Sequence, residues 1–199
     1  MAPRPDVSEE RRTQIIESAL SVFTRQGFAN TRMEDVASES GLSKGLLYWY
    51  FKSKDEIVVA IADLLFGGEL RKMRNLPCEG LPAGDCLMNF LETFIADIRM
   101  MLKVTPIVYE FYALAFRNQT VRKLMKTYLH SFVEILEPIV QKGIDSGEFA
   151  PGEPRLLALA IGSMLEGTLL LWAYDPDAMD VEAQLRLGAQ LLLKGLKAT

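Results

Sequence analysis

The sequence predicts an all-α chain: a small N-terminal three-helix module containing a helix-turn-helix, followed by a larger C-terminal helical body. Three observations carry this reading. Apolar residues recur at helical spacing from end to end. The first four of these stretches each open on a capping residue, and glycine ends the first two. Runs with the alternation of strands are almost absent. The 199 residues suit one compact domain or a small domain joined to a larger one. Apolar residues at 49% and charged residues at 24% exclude a disordered or collagen-like chain.

The first helix opens at Ser8, with Glu9 and Glu10 placed favourably for the helix dipole, and Ile15, Ile16, Ala19, Leu20, Val22 and Phe23 form one apolar face. Gly27 ends it. Thr31-Arg-Met-Glu34 reads as a capping box that opens a short helix with Met33, Val36 and Ala37 inward, ended by Gly41. Ser43 caps the third helix, and Ser53-Lys-Asp-Glu56 is a second capping box, opening a helix that runs to about Arg74. The prolines and glycines of NLPCEGLPAGD, residues 75–85, mark a loop. These signals predict a helix-turn-helix domain over 1–54 and a body over 55–199, joined by a linking helix over 54–75.

Beyond the loop, helices are expected at about 86–102, 106–117, 119–145, 154–174 and 180–196. Pro106 and Pro154 suit helix starts, Gly147 and Gly195 suit stops, and Pro138 should kink or split its helix. Leu156–Tyr174 is nearly long enough to cross a membrane, but Glu166 at its centre would cost about 2.5–3.5 kcal/mol there. It reads as a helix buried on both sides, so no membrane partner is expected. The polar N-terminus lacks the apolar core of a secretory signal, which points to the cytoplasm.

The formal charge of −4 means that any nucleic-acid surface must be a local patch. One histidine, His130, argues against a histidine metal cluster or a serine-type triad. Cys78 and Cys86 are expected as free, inert thiols, with a redox switch between these near neighbours as the alternative. With no glycine-rich phosphate loop and no Cys/His ligand spacing, neither enzymatic activity nor a cofactor or metal is expected. A carboxylate enzyme built on Glu110 or Glu166 is the remaining alternative in that class.

The third helix carries the chemistry. Ser43, Lys44, Tyr48, Trp49 and Tyr50 crowd two turns, a density of polar aromatics that core filling would not require. With the backbone amides of helix starts, they suit phosphate oxygens, and Gly45 leaves room for a close backbone approach. Residues 41–56, GLSKGLLYWYFKSKDE, resemble the signature of the tetracycline-repressor (TetR) family of bacterial transcription regulators. The resemblance covers roughly residues 9–60 in detail. It implies a homodimer that binds double-stranded operator DNA through its N-terminal module and a small organic effector in its body. By position, Thr31, Ser43, Lys44, Gly45, Tyr48, Trp49, Tyr50 and Lys54 match family positions that touch DNA, while Leu47 and Phe51 match packing positions. Leu46 departs from the small or polar residue common there. A leucine can contact a thymine methyl but cannot make a bidentate hydrogen bond to a purine.

The body is rich in methionine and aromatic residues, which suits an irregular apolar ligand. The expected pocket comprises Tyr109, Tyr112, Phe116, Met125, Tyr128 and Met164, with Glu110 or Glu166 as polar anchor. The family further implies a dimer face on the last two long helices, with Gly162, Ser163 and Gly188 permitting close approach. The resulting reading is a cytoplasmic, ligand-responsive repressor, released from a near-palindromic operator by a small, mostly apolar molecule. The alternative is a DNA-binding factor of the same fold without small-molecule input.

Overall fold

The computed structural model describes residues 7–197. Among them lie α1 (Val7–Gln26), α2 (Met33–Ser40), α3 (Lys44–Tyr50), α4 (Lys54–Ala62), a π-helical turn (Asp63–Gly67), α5 (Gly68–Arg74), α6 (Ala83–Ala96), α7 (Ile98–Ala115), α8 (Gln119–Asp145), α9 (Pro154–Tyr174) and α10 (Val181–Leu196). The chain forms two compact units. The first is the described part of Met1–Phe66 with Pro106–Met125; the second is Gly67–Thr105 with the described part of Lys126–Thr199.

In the first unit α1 packs on α2 and α4, and α2 packs on α3. Ile15, Ala19 and Val22 of α1, Val36 of α2, Leu47 of α3 and Ile57 of α4 have no solvent-exposed surface. Burial of side chains of this size contributes about 1.5–3 kcal/mol each for the larger ones. Gly27 ends α1 at φ +78°, a left-handed conformation that glycine adopts without strain. The second helix opens one residue later than its sequence signal. Arg32 is the capping position, and its N–H donates to the Asp35 carboxylate at 2.7 Å. That bond holds the Asp35 carboxyl below its ordinary range. Thr31 is buried, so its hydroxyl needs an internal acceptor and donates to the Gly27 carbonyl at 2.8 Å. The helix after Ser53 is likewise altered: a π-helical turn interrupts it at Asp63–Gly67.

In the second unit α6 packs on α5 and α10, and α10 packs on α9. Phe90, Leu136, Ile161 and Leu185 stand in its core. Pro82 offers no side-chain cap to α6; the Glu148 carboxylate instead accepts from the Ala83 and Gly84 amides at 2.7 and 2.8 Å. Lys142 fixes the preceding loop by donating to the Leu81 carbonyl at 2.6 Å. Cys78 and Cys86 form a disulfide with a Cα–Cα distance of 5.3 Å, which corrects the expectation of free thiols. The loop folds back onto the first turn of α6 and brings the two within bonding reach.

Several expected breaks are absent. Helix α6 stops at Ala96, and α7 begins at Ile98 and runs through position 106, which was expected to open a helix. Pro138 lies inside an unbroken α8, and Gly195 lies inside α10. An interior proline costs about 3 kcal/mol. Around Pro138 that cost is opposed by Val133, Leu136 and Val140, all with no exposed surface.

Helix α9 is long and apolar enough to cross a membrane by length and composition. Within the chain it is covered on one side, not two. Ala158, Ile161, Leu165 and Leu169 are buried, whereas Leu156, Leu171 and Tyr174 are exposed. Gly162 and Gly188 have a use inside this unit. A Cβ on Gly162 would meet the Phe132 ring at 2.8 Å, and one on Gly188 would meet the Met164 sulfur at 2.7 Å.

Candidate nucleic-acid interface

The turn between α2 and α3 follows from two residues. Gly41 takes φ +66°, and its N–H and that of Leu42 close the end of α2 on the Ser38 and Ala37 carbonyls. Ser43 then opens α3, its hydroxyl accepting from the Leu46 N–H at 3.2 Å. Leu47 is the one buried residue of α3, and Phe51 follows it inward in an extended conformation. The remaining surface of the helix faces outward. Trp49 is 65% exposed and Leu46 37% exposed, and Tyr48 and Tyr50 are half-buried. Gly45 is exposed, with nothing within 4 Å of where a Cβ would stand. Trp49 and Tyr50 meet edge to face at 4.7 Å, which limits the rotation of both rings.

The charges around α3 divide into outward and inward groups. Lys44 lies on the exposed side, paired with Glu34 of α2 at 2.5 Å and 5.9 Å from the Tyr48 ring centre. The hydrogen bond between them raises the lysine pKa and lowers that of the glutamate. Lys52 donates to the Tyr48 carbonyl at 2.7 Å, closing the C-terminus of α3. Ser53 caps α4 through the Glu56 N–H, while the Glu56 carboxylate accepts from the Lys52 amide at 2.7 Å.

Lys54, an expected phosphate contact, is also tied to the module's own backbone. Its ammonium donates to the carbonyls of Phe28 and Thr31 at 2.5 and 2.7 Å and lies 4.2 Å from the Phe28 ring centre. Burial lowers its pKa. Thr31 is also internal, bonded to Gly27. Both residues therefore hold the α1–α2 connection against α4. Arg32 is exposed at the capping position of α2, one residue beyond the Thr31 signal.

The residues expected to bind an effector are divided between the units. Tyr109, Glu110, Tyr112, Phe116 and Met125 fall in the first, and Tyr128, Met164 and Glu166 in the second. Tyr109 and Tyr112 stand edge to face at 5.6 Å. Phe116 is 79% exposed at the end of α7. Glu110 is exposed beside Gly27, and Met164 fills the space over Gly188. Tyr128 and Glu166 are half-buried on α8 and α9. An open recess of about 510 Å³ in the first unit lies elsewhere, between Arg12, Tyr50, Phe51, Glu56, Val59 and Thr120. Among the described residues no cluster of His, Cys, Asp and Glu is arranged to hold a metal ion.

A capped short helix, a left-handed glycine turn and a second helix with one buried residue define a helix-turn-helix protein. Residues 15–61 match the family model described as bacterial regulatory proteins, tetR family. Residues 87–197 match the C-terminal model of BetI-type transcriptional repressors. YfiR of Bacillus subtilis (strain 168), an uncharacterised HTH-type transcriptional regulator, is 32% identical over 189 residues, 94% of this chain and 91% of that protein. A structure described as a transcriptional regulator from Pseudomonas aeruginosa PAO1 superposes with a TM-score of 0.84 at 18% identity, covering 96% of this chain and 92% of the other. The regulator FadR from Bacillus subtilis, solved with stearoyl-CoA, gives 0.74 at 22% identity, covering 92% and 98%. The chain belongs to the TetR family of bacterial transcription regulators.

Proposed function

We propose that this protein is a cytoplasmic homodimeric repressor, without enzymatic activity, that leaves a near-palindromic operator when a small, mostly apolar molecule binds its body. The observation that carries this reading is the outward surface of α3. Leu47 is the one buried residue of the helix, while Ser43, Lys44, Gly45, Leu46, Tyr48, Trp49 and Tyr50 make up the surface that would meet a major groove and its flanking phosphates. Thr31 and Lys54 support this surface from within. The acyl chain of the stearoyl-CoA in the Bacillus subtilis regulator supports an effector with a large apolar part. The exposed apolar residues of α9 and α10 support a two-fold interface.

The test is binding to duplex DNA recovered from the source genome, measured across a salt series. Lys44→Ala should weaken binding and flatten the dependence of log K on log salt by about one ion. A Lys44→Ala protein that matches wild type at every salt concentration would remove α3 from the interface.

A further inference from the structure

The corner between α7 and α8 is closed by its own hydrogen bonds. The Arg117 and Asn118 amides both donate to the Leu114 carbonyl, at 2.9 and 2.8 Å. The Arg122 guanidinium reaches back to the carbonyls of Ala115 and Phe116, at 2.9 and 2.8 Å. Asn118 then uses both ends of its side chain. Its Oδ1 accepts from the Thr120 and Val121 amides at 2.8 and 3.1 Å, capping α8. Its Nδ2 donates to Oδ1 of Asp55 at 3.0 Å, in the first turn of α4. Only one orientation of the amide serves both partners, since the helix amides require an acceptor and the carboxylate requires a donor.

Asp55 stands five residues after Tyr50, the last residue of α3, and two after the Ser53 cap. The bond therefore joins the first turn of α4, the helix that follows α3, to a closed corner from which α7 and α8 continue. All of these residues lie in the first compact unit. We infer that Asn118 is a positioning residue whose bond to Asp55 couples operator binding to the state of the first turn of α8. The inference rests on the operator-binding function proposed above. A tilt of α7 or α8 must carry this bond with it or break it. By reciprocity, DNA that fixes α3 and α4 must steady the corner.

The experiment uses the full chain and a duplex selected in vitro with wild-type protein, and reads amide hydrogen exchange over residues 119–123 with and without DNA. Asn118→Asp keeps an acceptor for the α8 cap but sets a second carboxylate against Asp55. The double substitution Asn118→Asp, Asp55→Asn restores the bond with donor and acceptor exchanged. Wild type and the double variant should show DNA-dependent slowing of about fivefold or more. Asn118→Asp should still bind the duplex but lose that slowing. If Asn118→Asp does not fold, Asp55→Ala, which leaves the Asn118 cap in place, takes its role.

Slowing retained in the single variant, or absent from wild type bound to DNA, overturns the coupling while leaving the operator-binding function standing. Failure of the double variant to recover what the single one lost also overturns it. A wild-type protein for which no duplex can be selected overturns both.

Discussion

Lys44 and Lys54 stand ten residues apart in one motif, and the structure gives them opposite tasks. The Lys44 ammonium lies at the surface against a carboxylate that a phosphate can replace, whereas Lys54 is committed to two backbone carbonyls. A substitution at Lys54 should therefore be read in stability before it is read in DNA binding. Lys54→Met leaves the Phe28 and Thr31 carbonyls without their charged donor, and should destabilise the protein by about 1–3 kcal/mol. Its log K against log salt slope should stay parallel to that of wild type, because no phosphate contact is lost. Denaturant melts and a salt titration of the same variant check both statements. A slope reduced by one ion would return Lys54 to the DNA surface.

At the scale of an element, the start of α5 carries a carboxylate in an unfavourable place. Glu69 pairs with Lys72 at 3.2 Å through one oxygen, while its other oxygen is buried with no hydrogen bond among the described residues. Burial raises its pKa; Lys72 opposes the shift and the Asp97 charge adds to it. The folded protein thus holds this proton more tightly than the unfolded chain does. The associated stability is fully present below the unfolded value, about 4.3, and is lost as pH rises towards the folded value. Glu69→Gln removes the ionisation, and Lys72 keeps its bond to Asp97 at 2.5 Å. The variant should melt at a higher temperature than wild type at pH 7, with the advantage fading towards pH 4. An advantage independent of pH would show that packing, not charge, is responsible.

For the whole molecule, the decisive feature is the apolar surface that one chain leaves uncovered. On α10, Leu187 and Leu191 are 49% and 62% exposed, one helical turn apart. On α9, Leu156, Leu171 and Tyr174 are also exposed. A second copy that covers this face would present two α3 helices to successive major grooves, about 34–36 Å apart. Leu191→Glu costs the isolated chain little, because the side chain already meets water, but it places a charge inside the proposed interface. Sedimentation should show wild type as a dimer at micromolar concentration and the variant as a folded monomer. Operator affinity should fall with dimerisation, since each half-site then binds alone. A wild-type monomer, or a variant that remains dimeric, would contradict the assembly.

Local chemistry determined much of this protein before any folding was known. The helical class, the end of α1 at Gly27, the α2–α3 turn at Gly41 and the caps at Ser43 and Ser53 all follow from residues within four positions of one another. The segment at 41–56 carried the family for the same reason, since a helix surface and its capping residues are written in consecutive positions. The direction of Lys54, the disulfide between Cys78 and Cys86, the helix that runs through position 106 and the uncovered face of α9 were decided by the tertiary structure. So was the bond from Asn118 to a partner 63 residues away. No periodicity or motif encodes such pairings. They depend on which distant surfaces meet, and burial of a whole face can outweigh what one proline or glycine prefers.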